Sequence, residues 1–297
     1  MHIKGIFSTY SGGKQLGLLL GLLLAGSCLA SLSTLFINQI GALAGDEWLM
    51  GTGYLRIVQA ISAICTFLLP ALGMAYLSSL LPTKYLSLQP VRDPLAWGLT
   101  AVGMLLLSPL INLLSLWNQS LHLPTSLAPV EEALRQLEAL AEQLTQTFLS
   151  SDRMDLLLAN LLVVAVLAAL TEELFFRGAL QRILANCQLN PHVVIWTAAF
   201  LFSAFHLQFF GFFPRMLLGA YFGYLLRWSG SIWLPIFAHF INNAVAVITL
   251  SNSLLKSNGY LTGDIPTEAL LPYSCFALFS TLGFLGINYL LRRRVSQ

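Results

Sequence analysis

Eight long apolar runs govern what this chain can become. They lie at about 16–40, 55–81, 95–117, 154–184, 191–209, 212–229, 231–250 and 270–291, each near the roughly 20 residues that carry an α-helix across a hydrocarbon core. Inside a bilayer every backbone N–H and C=O must find a partner within the protein, so such runs fold as helices. Composition agrees: 57% of the 297 residues are hydrophobic and 9% are charged, where a soluble domain carries about 25% charged residues. The expected fold is an all-α membrane protein, a polytopic bundle of about eight transmembrane helices plus one amphipathic interfacial helix. Its surroundings are the lipid bilayer, and no nucleic acid partner is expected.

Lys and Arg in short loops favour the cytoplasmic side. With the N-terminus inside, Lys4, Lys14, Lys84, Arg92, Arg182, Arg227, Arg292, Arg293 and Arg294 fall inside, and Arg56, Arg135, Arg153 and Lys256 outside. Both termini are therefore expected in the cytoplasm, in a multi-pass protein of a bacterial plasma membrane. Arg177 and Arg215 are left out as membrane-embedded or interfacial. The basic start, apolar run and Cys28 also describe a cleaved or lipoprotein signal. The run continues to Leu35, however, and Ala25 stands where a lipoprotein signal usually has Leu, so an uncleaved helix is preferred.

Residues 118–153 form the one long polar segment. Val130, Leu134, Leu137, Leu140, Leu144 and Phe148 recur at spacings of three and four, which predicts an amphipathic helix with Pro129 in its first turn and Glu131, Glu132, Glu138 and Glu142 on the polar side. It should lie along the outer interface, as a cover for the ends of the spans or as a cap on a substrate entrance. Asn118-Gln119-Ser120 fits a glycosylation acceptor pattern, which chance also produces. Cys28, Cys65, Cys187 and Cys275 lie in or beside apolar spans without metal or redox spacing, so they read as small hydrophobes.

The chemistry is concentrated between residues 172 and 243. Glu172, Glu173 and Arg177 lie inside the apolar stretch LAALTEELFFRG, and charges at bilayer depth cost about 2.5–3.5 kcal/mol each, so they need partners or a function. On a helix Glu173 and Arg177 share a face in the favourable order for an ion pair, while Glu172 points about 100° away. Arg177 can neutralise one glutamate and leave the other as a general base; the alternative is a purely structural pair.

Two intramembrane histidines, His206 and His239, weigh against the structural alternative. Glu172 and His206 each lie 17 residues from position 189, in the turn joining two antiparallel spans, which puts them at similar depth. His239 and Asn243, four apart, present an imidazole and a carboxamide on one face, although interhelical hydrogen bonding would also explain Asn243 and Asn242. Gly219 and Gly223 allow close helix approach, within the bundle or in a dimer.

EELFFRG at 172–178, FSAFH at 202–206 and HFINN at 239–243 resemble, in order and spacing, the three motifs of the CPBP family of CAAX prenyl endopeptidases and bacteriocin-processing or immunity (Abi) proteins. The first 150 residues carry no such signal. The resemblance implies an intramembrane endopeptidase in which Glu172 activates water, His206 assists, His239 and Asn243 stabilise the oxyanion, and Glu173 and Arg177 organise the site. It implies a membrane-associated peptide or protein substrate, possibly lipidated. No cofactor is required on this scheme; a divalent metal such as zinc is the other branch, with Glu172, His206 and His239 as its ligands, although HExxH is absent.

The expected organisation is N-terminal helices (1–117), a linker with the amphipathic helix (118–153), a catalytic core (154–250), and a loop, last helix and basic tail (251–297). Two other classes stay open: a proton- or ion-coupled transporter, which would lose flux rather than cleavage on Glu172→Ala, and a non-catalytic immunity or scaffold protein, which would tolerate it. Oligomeric state and substrate identity are not readable from these residues.

Overall fold

A computed structural model describes residues 3–44, 51–149 and 153–295. Among them the main helices are α1 (Gly12–Ala44), α2 (Thr52–Ser78), α3 (Pro94–Gln119), α4 (Ala128–Leu149), α5 (Met154–Asn186), α6 (Pro191–Ala204), α7 (Phe212–Ser229), α8 (Trp233–Ser251) and α9 (Leu270–Val295), with no strand. The end of the expected linker, 150–152, and the last two residues of the basic tail lie outside the described residues. Among the described residues, seven helices are long and apolar enough to cross a membrane, and the chain is an integral multi-pass membrane protein. All four cysteines are free.

The fifth expected span is corrected. The helix in the run 191–209 is only 14 residues long, about 21 Å at 1.5 Å per residue, against a core about 30 Å thick. Asn190 caps its start, accepting from the His192 N–H at 2.9 Å, with Pro191 in the first turn. Its far end tightens as the amides of His206 and Leu207 reach back three residues, and Leu207 turns to φ 56°. Apolar residues continue through this turn, so hydropathy alone could not reveal the break.

Two hydrophobic cores meet at the chemistry. One joins α1, α2, α5 and α6 through Met74, Phe175, Phe176, Ile183 and Phe202; the other joins α3, α7, α8 and α9 through Leu107, Phe222, Leu234 and Leu291. Small residues permit the seam, since lipid supplies no hydrophobic drive between helices. A Cβ on Gly219 would stand 3.0 Å from both Arg177 Nη2 and Phe202 Cδ1, and one on Gly223 would stand 2.8 Å from Gln181 Oε1. The expected close approach at these glycines therefore occurs within the bundle.

Helix α4 lies against the bundle as the expected amphipathic helix. Leu137, Leu140 and Leu144 are exposed, while Arg135 lies over the Phe210 ring at 4.3 Å and Glu138 accepts from Gln208 Nε2 at 3.4 Å. Periodicity defines two faces without saying which is covered, and here the polar side finds polar partners beside the α6–α7 turn.

At its start, Glu131 accepts from Arg135, from the Leu123 amide and from His122. The Arg135 hydrogen bond first, then the other two, hold its carboxyl down at about 2. A depressed carboxylate stabilises the fold above its unfolded pKa of 4.5, and that contribution is lost as pH falls towards about 2. Hydrogen exchange at the start of α4 should accelerate over this window, and Glu131→Gln should show the faster exchange already at neutral pH.

Two further sequence readings change. Asn118 is fully buried, its side chain donating to the Phe209 carbonyl and accepting from the Phe213 amide, so it ties α3 to the α6–α7 turn and is not a free glycosylation acceptor. Arg56, counted with the loops, is buried in α2, where it donates to Asn160 at 2.7 Å and to Thr52 at 2.9 Å.

Candidate active site

Glu172 and Glu173 sit in a short α-helical stretch of α5 between two π-helical turns, Leu161–Leu167 and Leu174–Gln181. A π turn inserts a residue and frees backbone carbonyls from their usual partners, a device frequent at functional sites. Here the Val164 carbonyl accepts from Asn243 Nδ2 at 3.0 Å. Asn243 also accepts from Asn242 at 3.1 Å, so it already ties α8 to α5 before any role towards substrate.

The two glutamates are differentiated. Glu173 is fully buried, and its Oε1 accepts from Arg177 Nη1 and His239 Nδ1, both at 2.8 Å. Arg177 donates through Nη2 to the Gly219 carbonyl at 2.9 Å, and its guanidinium lies 4.4 Å from the Phe202 ring and 5.5 Å from Phe222. A buried charge without such partners would be costly; here hydrogen bonds and ring faces surround it. Each glutamate keeps a buried Oε2 without a partner, but Glu172 has no counterpart to the two bonds on Glu173 Oε1; its Oε2 lies 3.9 Å from His239 Nε2.

The histidines are held by different acceptors. An ionised carboxylate only accepts, so His239 donates its Nδ1–H to Glu173 and turns Nε2 towards Glu172. Its ring stacks on Phe222 at 5.1 Å and 18°. A carbonyl likewise only accepts, so His206 donates Nδ1–H to Phe202 at 2.9 Å and keeps its Nε2 lone pair when neutral. The Phe202 ring contacts both imidazoles, with centroids 5.1 Å from His206 and 5.8 Å from His239.

The structure thus brings Glu172, Glu173, Arg177 and His239 into direct contact or ion-pair range, attaches His206 through Phe202, and places Asn243 one turn along α8 against α5. Sequence reasoning carried Phe202 only as the first residue of the FSAFH motif, without a role, and passed over the Gly219 carbonyl. Phe202 precedes His206 by four residues, the spacing that stacks side chains on one helix face, whereas a backbone acceptor has no sequence signature. For a metal, no group of three or more His, Cys, Asp or Glu side chains converges among the described residues. Glu172, His206 and His239 do not form a ligand set in this arrangement.

Buried acid, base and amide groups at the seam of a membrane-helix bundle define an intramembrane site, and the similarities fall on that segment. Residues 154–245 match the family described as type II CAAX prenyl endopeptidase Rce1-like, so the CPBP resemblance holds over the segment carrying the three motifs. The uncharacterized protein YpbD of Bacillus subtilis (strain 168) is 30% identical over 90 residues, covering 29% of this chain and 43% of that protein. The chain thus spans less than half the length of this curated relative. No solved structure matches significantly.

Proposed function

We propose that this protein is an intramembrane endopeptidase of the CAAX-protease type that hydrolyses a peptide bond in a membrane-associated substrate. One observation carries the reading: of two adjacent glutamates, Glu173 is held through Oε1 by both Arg177 and His239, while Glu172 is not held by the arginine and faces the same imidazole at 3.9 Å. In the proposed step, Glu172 takes a proton from water as the water oxygen bonds to the scissile carbonyl carbon, with His206 assisting through Nε2. The C–N bond then breaks, and the proton passes to the departing amine.

His239 and Asn243 serve the oxyanion. The bond from His239 Nδ1 to Glu173 orients the ring so that Nε2 faces the reacting atoms. Asn243→Ala should lower turnover by about 10²–10³-fold, the usual cost of one oxyanion donor, whereas losing its bond to Val164 should cost about 0.6 kcal/mol of stability. Cleavage rates compared with the thermal midpoint in detergent check this; equal activity would remove Asn243 from the mechanism.

The test of the function is cleavage of a panel of membrane-protein and lipidated peptides by purified wild type and His239→Ala, each with and without a strong chelator. Chelator-resistant cleavage lost in His239→Ala is expected. Cleavage that survives the substitution would overturn the site, and chelator sensitivity would overturn the metal-free mechanism.

A further inference from the structure

Among the described residues, Arg182, Arg227 and Arg292 gather without an ion pair where α5, α7 and α9 end and α6 begins. Two adjoining cavities open there. One, about 300 Å³, has Arg182 and Arg227 at its rim, Leu189, Ile195 and Leu226 in its walls, and reaches Arg177. The second, about 400 Å³, is lined by His192, Tyr224, Arg227, Trp228 and Arg292. Arg227 belongs to both, and neither contains a carboxylate.

The surroundings do not neutralise these cations. Arg182 donates one N–H to the Tyr85 carbonyl at 3.1 Å, and Arg227 and Arg292 make no ion pair among the described residues. Asp93, at the start of α3, is already paired with Arg294 at 2.9 Å. Tyr224 is oriented by His192, whose Nδ1 lies 2.7 Å from its hydroxyl, and stacks on Trp228 at 5.7 Å. Uncompensated guanidinium groups fork onto phosphate oxygens, and basic hollows between helices beside interfacial aromatics suit anionic lipid headgroups.

We propose that these joined cavities bind a phosphate-bearing anion, held by Arg182, Arg227 and Arg292. The apolar walls assign the source to a phospholipid headgroup with its first acyl carbons, rather than free phosphate. The site is independent of the proposed protease activity, although Arg177 belongs to the same wall.

The experiment is native mass spectrometry of the purified full chain in detergent with equimolar phosphatidylglycerol and phosphatidylcholine. Wild type should retain phosphatidylglycerol preferentially, and R227Q/R292Q should retain it roughly ten- to thirty-fold less at an unchanged thermal midpoint. K14Q/R293Q, which alters basic residues outside both cavities, should behave as wild type. If R227Q/R292Q lowers the thermal midpoint, R182Q replaces it. Equal retention of the two lipids, or equal loss in K14Q/R293Q, would overturn the site. Displacement of phosphatidylglycerol by millimolar inorganic phosphate would overturn the lipid assignment and leave a free-phosphate site.

Discussion

Glu172→Gln should leave the bundle folded and remove hydrolysis by about 10²–10⁴-fold, the range that a positioned general base contributes. The fold is expected to survive because Oε2 of Glu172 makes no hydrogen bond and the side chain keeps its shape as an amide. Glutamine cannot accept the water's proton at working pH, so the loss should fall on kcat, with KM little changed. Single-turnover cleavage with a saturating substrate, beside a thermal melt in detergent, separates the two effects. A variant that melts like wild type and cleaves at the same rate would eliminate Glu172 as the base.

Arg177→Met should act in the opposite way, through the fold. Both members of the Arg177–Glu173 pair are fully buried, and removing one partner of such a pair typically costs about 3–5 kcal/mol because the other charge is left uncompensated. Adding Glu173→Leu removes that orphaned charge, so the double variant should recover much of the lost stability while staying inactive, with His239 deprived of its acceptor. Denaturant melts of the four proteins give the coupling directly. If the double variant loses the sum of the two single losses, the pair is not the coupled unit described above.

Much of this site was legible because helices make spacing into geometry. The i, i+4 relation between Glu173 and Arg177 predicted an ion pair, and the structure has it at 2.8 Å. Counting from one turn predicted His206 and Glu172 at similar depth; the structure ties His206 to the site through the Phe202 carbonyl and ring. Less visible were features in which backbone atoms take part. The Gly219 carbonyl that receives Arg177, the Val164 carbonyl that receives Asn243 and the π turns of α5 depend on backbone geometry, which residue types record weakly.

The partners of α4's polar side were not legible either, for another reason. Its exposed leucines and inward Arg135 and Glu138 fit a polar surface at the α6–α7 turn, and that surface is assembled from Gln208 and Arg215, which lie far along the chain. Amphipathic periodicity cannot anticipate a partner built elsewhere.

The brevity of α6 has a consequence for the lipid around it. Val193, Trp196 and Phe200 are exposed on this helix, which is itself about 21 Å long against about 30 Å of hydrocarbon in a bilayer. Such hydrophobic mismatch draws the bilayer thinner locally at fractions of a kcal/mol per Å. Membranes of short-chain lipid should therefore relieve an elastic load borne at the helix that leads into His206, making hydrocarbon thickness a physical variable acting on this protein.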